Sequence, residues 1–140
     1  MGQVFVLMGK TYSYKKYVSD YCSTNKSFNC VSKYNLHTTG INIVLGDMDD
    51  LEDIKKNFTG AIYPVFIDTP DEVLLERGIA DYSGTASTQV DMCKKFIEDS
   101  EIYSAEALER VDAVSINADN ECDACYEFMK YLRVTIGVGI

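Results

Sequence analysis

Short stretches rich in apolar residues recur along this chain and predict strands at residues 3–8, 28–32, 40–46, 61–68 and 113–117. Residues 3–8 run without polar alternation, which is typical of a strand that is buried on both faces. Pro64 interrupts the fourth stretch. A proline inside a strand predicts an edge position or a bulge, because it has no backbone N–H to donate.

Between these stretches, apolar residues recur at the spacing of amphipathic helices. Helices are predicted at residues 15–22, 50–57, 70–78, 89–100, 104–110 and 120–133. The residues predicted to face inward are Val90, Cys93, Phe96 and Ile97 in the fourth helix, and Cys122, Cys125, Tyr126, Met129 and Leu132 in the last. Residues 81–88 are small and polar and predict a loop.

The alternation of strands and helices indicates the fold class. It predicts an α/β fold, a three-layer sandwich in which a mostly parallel sheet has helices on both faces. With 140 residues and no linker or repeat, a single domain over residues 1–140 is expected. Ligands of such sheets bind at the carboxyl ends of the strands, so the site should lie there.

The candidate site follows the first strand. Phosphate-binding loops have the pattern G-x-x-x-x-G-K-[ST], and Gly9 and Lys15 meet its spacing. Two of the four fixed positions differ, since Tyr14 replaces the second glycine and Lys16 replaces the Ser/Thr that ligates Mg²⁺. A lysine after a glycine, where a strand leads into a helix, still indicates an anion site at the helix N-terminus.

The charge distribution narrows the range of partners. The net charge is −9, so the phosphate backbone of a nucleic acid would be repelled. Positive charge is concentrated in the first quarter of the chain, at Lys10, Lys15, Lys16, Lys26 and Lys33. No apolar run reaches the ~20 residues of a membrane span, and the N-terminus lacks a signal-peptide pattern. We therefore expect a cytoplasmic protein with neither a nucleic acid nor a membrane as partner.

Cysteine and histidine do not indicate a metal centre. The five cysteines are expected to be reduced, because their number is odd and the protein is expected to be cytosolic. Cys122 and Cys125 have C-x-x-C spacing, but the chain has no second ligand pair. We interpret them as two residues one turn apart on a helix. His37, the only histidine, is interpreted as a loop residue.

The order of these motifs resembles the guanylate kinase family of P-loop nucleoside monophosphate kinases. Residues 5–15 resemble the family's hydrophobic strand and G-x-S-G-x-G-K loop, with tyrosine at both later glycines. Residues 43–49 resemble the strand that ends in a D-x-D element. Residues 61–67 and 70–77 resemble the next strand and the helix that leads to the lid. Residues 92–99 are similar to the lid-return helix, where the family usually has an arginine pair.

This resemblance implies a set of site residues. Lys15 would be catalytic, and the phosphate-binding set would be Gly9, Lys10, Thr11, Ser13, Lys15 and Lys16. The candidates for the lid cations are Arg77, Lys94 and Lys95. Asp47 and Asp49 are weak candidates for a Mg²⁺ ligand, and a helix cap is the favoured interpretation of this pair. ATP and Mg²⁺ would be the cofactors of a retained activity.

The family's GMP-binding domain has little counterpart here. Guanylate kinases are longer, and the missing length falls between the first helix and residue 40. Residues 37–40 resemble the T-T-R segment of that domain, with glycine in the arginine position. The expected architecture is therefore a nucleoside monophosphate kinase-like core that lacks most of its acceptor domain.

Two functions remain open at this point. The first is a catalytically inactive homologue that serves as a binding or structural module, with an apolar, tyrosine-rich patch covered by a protein partner or a second copy. The second is a divergent nucleotide-binding guanylate kinase that transfers phosphate from ATP, with Lys10, Lys15 and Lys16 in a metal-poor anion site. The first is favoured, because both lost loop positions serve phosphate and Mg²⁺ binding.

Overall fold

The computed structural model describes residues 2–80 and 86–137, with side chains from residue 90 onward in the second range. The strands are β1 Gln3–Met8, β2 Phe28–Cys30, β3 Ile41–Leu45, β4 Ala61–Asp68 and β5 Val114–Asn117. The helices are α1 Lys15–Ser23, α2 Met48–Asn57, α3 Asp71–Ala80, α4 Ala86–Ile102, α5 Ala105–Arg110 and α6 Glu121–Ile136. No helix among these residues is long and apolar enough to cross a bilayer.

The five strands form one parallel sheet, in the order β2-β3-β1-β4-β5. The first strand in sequence is therefore the central strand of the sheet. In its register, Val6 of β1 lies opposite Val44 of β3 on one side and opposite Pro64 of β4 on the other. The predicted α/β class, with a parallel sheet between helices, is confirmed.

Side chains of β1 enter two separate cores, because successive residues of a strand point to opposite faces. Phe5 and Leu7 belong to a cluster that includes residues of α1 and α6. Val4, Val6 and Met8 belong to a second cluster, which includes residues of α2 and has α5 packed against it. All five side chains are fully buried, which explains why this stretch has no polar alternation.

The prediction that Pro64 marks an edge strand or a bulge is wrong. Strand β4 lies between β1 and β5, and its register with β1 runs without interruption from Ala61 to Phe66. The pairing with β5 begins only at Val65, since β5 is the shorter strand. Pro64 therefore precedes that ladder and faces a neighbouring strand on one side only.

Two predicted inward faces need correction. In α4, Val90, Cys93 and Ile97 are exposed, and the side chains turned inward are those of Met92, Phe96 and Asp99. In α6, Cys122 and Tyr126 are exposed, whereas Ala124, Cys125, Phe128 and Leu132 are buried. In both helices the true stripe is rotated from the predicted one, because apolar residues occupy more than one face.

The predicted loop over residues 81–88 can be compared with the structure only at residues 86–88. Residues 86–88 belong to the first turn of α4, so the helix begins three residues earlier than predicted. Residues 81–85 lie outside the described residues.

Candidate functional site

The loop between β1 and α1 forms a tight turn at the carboxyl end of the central strand. The N–H of Ser13 donates to the carbonyl of Lys10 at 2.9 Å. Tyr12 has a φ of 69°, so it takes the left-handed conformation expected of the glycine that it replaces. Tyr14 has a φ of −82° and caps α1 without a side-chain hydrogen bond. The N–H groups in the first turn of α1 therefore receive no cap from the side chain of the N-cap residue.

Gly9 is required by the close approach of Ser13. A Cβ at position 9 would collide with the Ser13 hydroxyl and would lie 3.2 Å from the carbonyl of Ile67. The Ser13 side chain is buried, and its Oγ has no hydrogen-bond partner among the described residues. Most buried polar atoms in proteins have a hydrogen-bond partner, so this hydroxyl is an exception.

Both tyrosines of the loop turn toward α3. The Tyr12 ring packs over Gly78, where an added Cβ would lie 3.2 Å from the ring. The Tyr14 ring is buried in the core and lies 4.1 Å beneath the guanidinium of Arg77. The backbone N–H of Tyr14 donates to Thr69 Oγ1 at 3.3 Å. The rings therefore shield the α3 side of the loop, and they hold Arg77 there.

A carboxylate from α4 occupies the other side of the loop. Asp99 is only 4% exposed, and its Oδ2 accepts a hydrogen bond from the backbone N–H of Thr11 at 2.7 Å. Its Oδ1 lies 3.7 Å from Lys95 Nζ, one turn earlier in the same helix. A short hydrogen bond from a loop N–H to an ionised acceptor is the contact that a phosphate oxygen would make in such a loop.

Sequence reasoning did not identify Asp99. It shares a helical face with Met92 and Phe96, at a spacing of i, i+4, i+7, and that face was not the predicted inward one. The i, i+4 pairing of Lys95 with Asp99 was the available signal. Such pairs are common on solvated helices, so the signal was weak.

Lys15 lines a cavity of about 570 Å³ next to Asp99. Its other charged lining residues are the cations Lys95 and Arg110 and five acidic residues, Asp47, Asp49, Glu52, Asp99 and Glu101. Burial lowers the pKa of the Lys15 ammonium, and the charges of Asp99 and Asp47 oppose that effect. The lysine therefore faces carboxylates of its own chain.

The first of the two weak Mg²⁺ candidates has a structural role at this end of the sheet. Asp47 caps α2, since its Oδ1 accepts from the N–H of Asp50 at 2.9 Å while Asp50 Oδ2 accepts from the N–H of Asp47. Lys16 is exposed and offers no hydroxyl. Among the described residues, no group of three or more His, Cys, Asp or Glu side chains could hold a metal. The favoured interpretation of Asp47 as a helix cap is confirmed.

The other predicted cations lie apart from the cavity. Lys10 Nζ lies 3.3 Å from Asp71 Oδ1, and Lys94 is exposed on α4. Arg77 is stacked on Tyr14, and its Nη1 is buried without a hydrogen-bond partner among the described residues. Of the three predicted lid cations, only Lys95 lines the cavity.

Residues 37–40 do not contribute to the site. The carbonyl of Gly40 accepts from the N–H of Gln3, at the amino end of β1, whereas Gly9 follows its carboxyl end. Six strand residues separate the two positions by roughly 20 Å. His37 is a loop residue whose N–H and carbonyl both bond the Asn42 side chain. The segment that resembles T-T-R is therefore remote from the loop.

The parallel sheet, with a glycine loop joining its central strand to a helix, defines a P-loop kinase-like α/β fold. No protein-family model and no curated protein matches the sequence. A gluconokinase from Sinorhizobium meliloti 1021 matches in structure with a TM-score of 0.60 and 11% identity, over 98% of each chain. A sugar kinase from Janibacter sp. HTCC2649 matches with a TM-score of 0.59 and 10% identity, over 100% of this chain and 99% of the other.

At identities this low, the structural likeness shows the fold alone. It supports the P-loop kinase part of the resemblance and does not single out guanylate kinases.

Proposed function

We propose that this chain is a P-loop kinase-fold protein that has lost phosphoryl transfer and acts as a binding or structural module. The observation that carries the proposal is the hydrogen bond from the Thr11 N–H to Asp99 Oδ2, at 2.7 Å. A carboxylate in this position repels a phosphate oxygen and uses a donor that the phosphate would need. Phosphoryl transfer depends almost entirely on positioning and charge neutralisation. The repulsion and the occupied donor should therefore both lower the rate of transfer.

The surroundings of Lys15 support the same proposal. Around the cavity, five acidic residues outnumber three cations, one of which is Arg110 of α5, whereas a kinase needs cations there to neutralise the transferring group. Of the predicted lid cations, Arg77 is held on the Tyr14 ring. Lys16 adds an ammonium where the fold places a metal-ligating hydroxyl.

A second candidate function is ATP-dependent phosphoryl transfer. It is favoured by the buried Ser13 hydroxyl, which has no hydrogen-bond partner among the described residues, and by the lack of a cap from the Tyr14 side chain at the start of α1, since both leave donors for an anion. The acceptor is then not restricted to GMP, because the two fold neighbours are described as a gluconokinase and a sugar kinase.

A transfer assay with matched lysine variants separates the two candidates. ATP is supplied with Mg²⁺ and with GMP or gluconate as acceptor, and ADP formation is followed in the wild type, Lys15→Ala and Lys94→Ala. Lys94 is the control, because it is an exposed lysine outside the cavity. We expect no acceptor-dependent ADP from any of the three. Turnover that is lost in Lys15→Ala and kept in Lys94→Ala would overturn the proposal.

Thermal unfolding of the same proteins with Mg-ATP gives an independent readout. A ligand at 100 times its Kd stabilises the folded state by about 2.7 kcal/mol, which at this size is a shift of several degrees. We expect no shift in the wild type. A shift that only Lys15→Ala removes would establish nucleotide binding and favour the second candidate.

A further inference from the structure

Strand β5 is an accessible edge of the sheet. It pairs with β4 on one side and stands last in the strand order, so its other side has no strand beside it within the described residues. Val114, Ser115 and Asn117 are exposed, and Ile116 is buried. The other edge strand, β2, is shorter, and none of its three residues is exposed. The two edges therefore differ in how much of the strand solvent can reach.

Two residues of β5 turn their backbone groups toward the open side. The Ala118 N–H donates to the last carbonyl of β4 at 3.0 Å. Because backbone groups alternate in direction along a strand, the N–H and C=O of Ser115 and Asn117 face away from β4. The outward N–H that precedes the strand, at Ala113, donates to the carbonyl of Leu108. Ser115 and Asn117 therefore offer a row of donors and acceptors with which a further strand could pair.

An open groove lies between this edge and α6. Its volume is about 570 Å³, and residues 114–117 of β5 form one wall. The other wall comes from α6 and the turn before it, with Asp119, Asp123, Glu127, Lys130, Tyr131 and Val134. We call it the β5–α6 groove. Three of its charged side chains are acidic and one is basic, so the groove has an excess of negative charge.

The acidic side chains of the helical wall match the repeat of an extended chain. Asp123 and Glu127 are four residues apart on α6, which places them about 6 Å apart along the helix axis. Alternate residues of a strand point to the same face and are about 6.6 Å apart. Lys or Arg side chains at alternate positions of an added strand would therefore meet both carboxylates.

A second copy of this chain does not supply those cations. Its own β5 has no charged residue, and a symmetric pair of β5 strands would bring two acidic walls together. The net charge of −9 on each copy adds to that repulsion. We propose that the β5–α6 groove binds an extended, basic segment of another protein, which adds a sixth strand to the sheet beside β5.

This proposal is independent of the phosphate loop. The β5–α6 groove shares no lining residue with the cavity beside Lys15. It gives a surface to the binding module proposed above, but it does not depend on the loss of phosphoryl transfer. The transfer assay and the peptide assays can therefore succeed or fail separately.

Selection from a displayed library of short random peptides tests the kind of segment that binds. We expect the enriched peptides to have Lys or Arg at alternate positions, with apolar or β-branched residues between them. An enriched peptide should bind the wild type with a dissociation constant in the micromolar range, measured by fluorescence anisotropy. Enrichment of acidic or proline-rich peptides, or of none that binds more tightly than about 1 mM, would overturn the proposal.

Charge variants test the acidic wall. Glu127→Lys should raise the dissociation constant of the enriched peptide by at least about tenfold, since it places a cation opposite the basic side chains. Glu98→Lys is the matched control, because Glu98 is exposed on α4 and lines neither the groove nor the cavity beside Lys15. It should change the dissociation constant by less than about threefold. Equal effects of the two variants would place the peptide elsewhere and overturn the proposal.

Two methylated copies of the enriched peptide test strand addition on the wild-type protein. One copy carries backbone N-methyl groups at even positions and the other at odd positions, so both keep the same side chains. The copy methylated on the side that faces β5 should bind at least about tenfold more weakly, and the other within about threefold of the parent. Ser115→Pro makes the corresponding change in the protein, since it removes an outward N–H and leaves the N–H groups that bond to β4. Equal binding of the two methylated copies would overturn the proposal.

Discussion

Tyr12 carries a backbone conformation that side chains other than glycine rarely adopt. Its φ of 69° costs roughly 1–2 kcal/mol for a residue with a Cβ. The cost is offset in part by the packing of its ring on α3 at Gly78. The backbone at Tyr12 therefore has the conformation that a glycine would adopt, and the Tyr12 ring covers one side of the turn.

The contact between Gly9 and Ser13 leads to a prediction at the residue scale. Gly9→Ala should destabilise the protein by about 1–3 kcal/mol, because the new Cβ overlaps the Ser13 hydroxyl. Ser13→Ala removes a buried hydroxyl without a partner among the described residues, so it should be neutral or stabilising. The double variant should recover part of the loss. Urea unfolding measures all three, and strictly additive free energies would contradict the contact.

Cys22 leads to a prediction about pH. Burial raises the pKa of its thiol to about 12, so between pH 9 and pH 12 the unfolded chain releases a proton that the folded chain retains. The contribution of this thiol to the unfolding free energy is therefore fully present below pH 9, and it decreases as the pH rises from 9 toward 12. From pH 8 to pH 10, the wild type should lose about 1.4 kcal/mol more than Cys22→Ala. Urea unfolding at the two pH values measures this difference, and equal losses would show that the thiol titrates normally.

The α2 cap leads to a prediction at the scale of an element. Asp47→Ala removes the side chain that accepts from the N–H of Asp50, and it should cost about 1 kcal/mol of unfolding free energy. Asp49→Ala is the matched control, since Asp49 is exposed and makes no cap contact; it should change stability by less than about 0.5 kcal/mol. Added Mg²⁺ should leave the melting temperature of the wild type and both variants unchanged. Stabilisation by Mg²⁺ that Asp47→Ala abolishes would restore the metal interpretation.

Strands made of long apolar stretches could be predicted closely from the sequence, and the inward faces of helices with two apolar faces could not. Strands β1 and β4 were predicted to the residue, because unbroken apolar stretches leave little choice of boundary. In α4 and α6, apolar residues lie on two faces, and periodicity does not say which face the sheet covers. The choice depends on tertiary packing, so Val90, Ile97 and Tyr126 were assigned inward wrongly.

The same limit explains why only part of the site could be predicted. Gly9, Thr11 and Lys15 were found because the loop spacing is local in sequence. Asp99 reaches Thr11 across 88 positions, from a helix whose rotation was not known in advance. Contacts of that kind are fixed by the packing of α4 rather than by any motif.

At the scale of the whole molecule, the parallel sheet brings the loop, the α2 cap and the end of α4 to one edge. The cavity there lies at the carboxyl ends of the strands, where parallel sheets bind ligands, and its charged lining residues are mostly acidic. Elsewhere on the surface, a groove between α1 and α6 is lined by the exposed rings of Tyr17, Tyr21 and Tyr126. The proposed function assigns these two regions different roles: a loop that no longer transfers phosphate, and an apolar surface available for binding.

The central claim is that Asp99 takes the place of a phosphate at the loop. Calorimetric titration with inorganic pyrophosphate tests it most directly, in the wild type, Asp99→Asn, and Asp99→Asn combined with Lys15→Ala. We predict no detectable binding of pyrophosphate to the wild type. Asp99→Asn should bind it with a dissociation constant at least about tenfold below the detection limit set by the wild type, since the neutral amide no longer repels the anion. The added Lys15→Ala change should abolish that gain. Equal pyrophosphate affinity in the wild type and Asp99→Asn would contradict the claim.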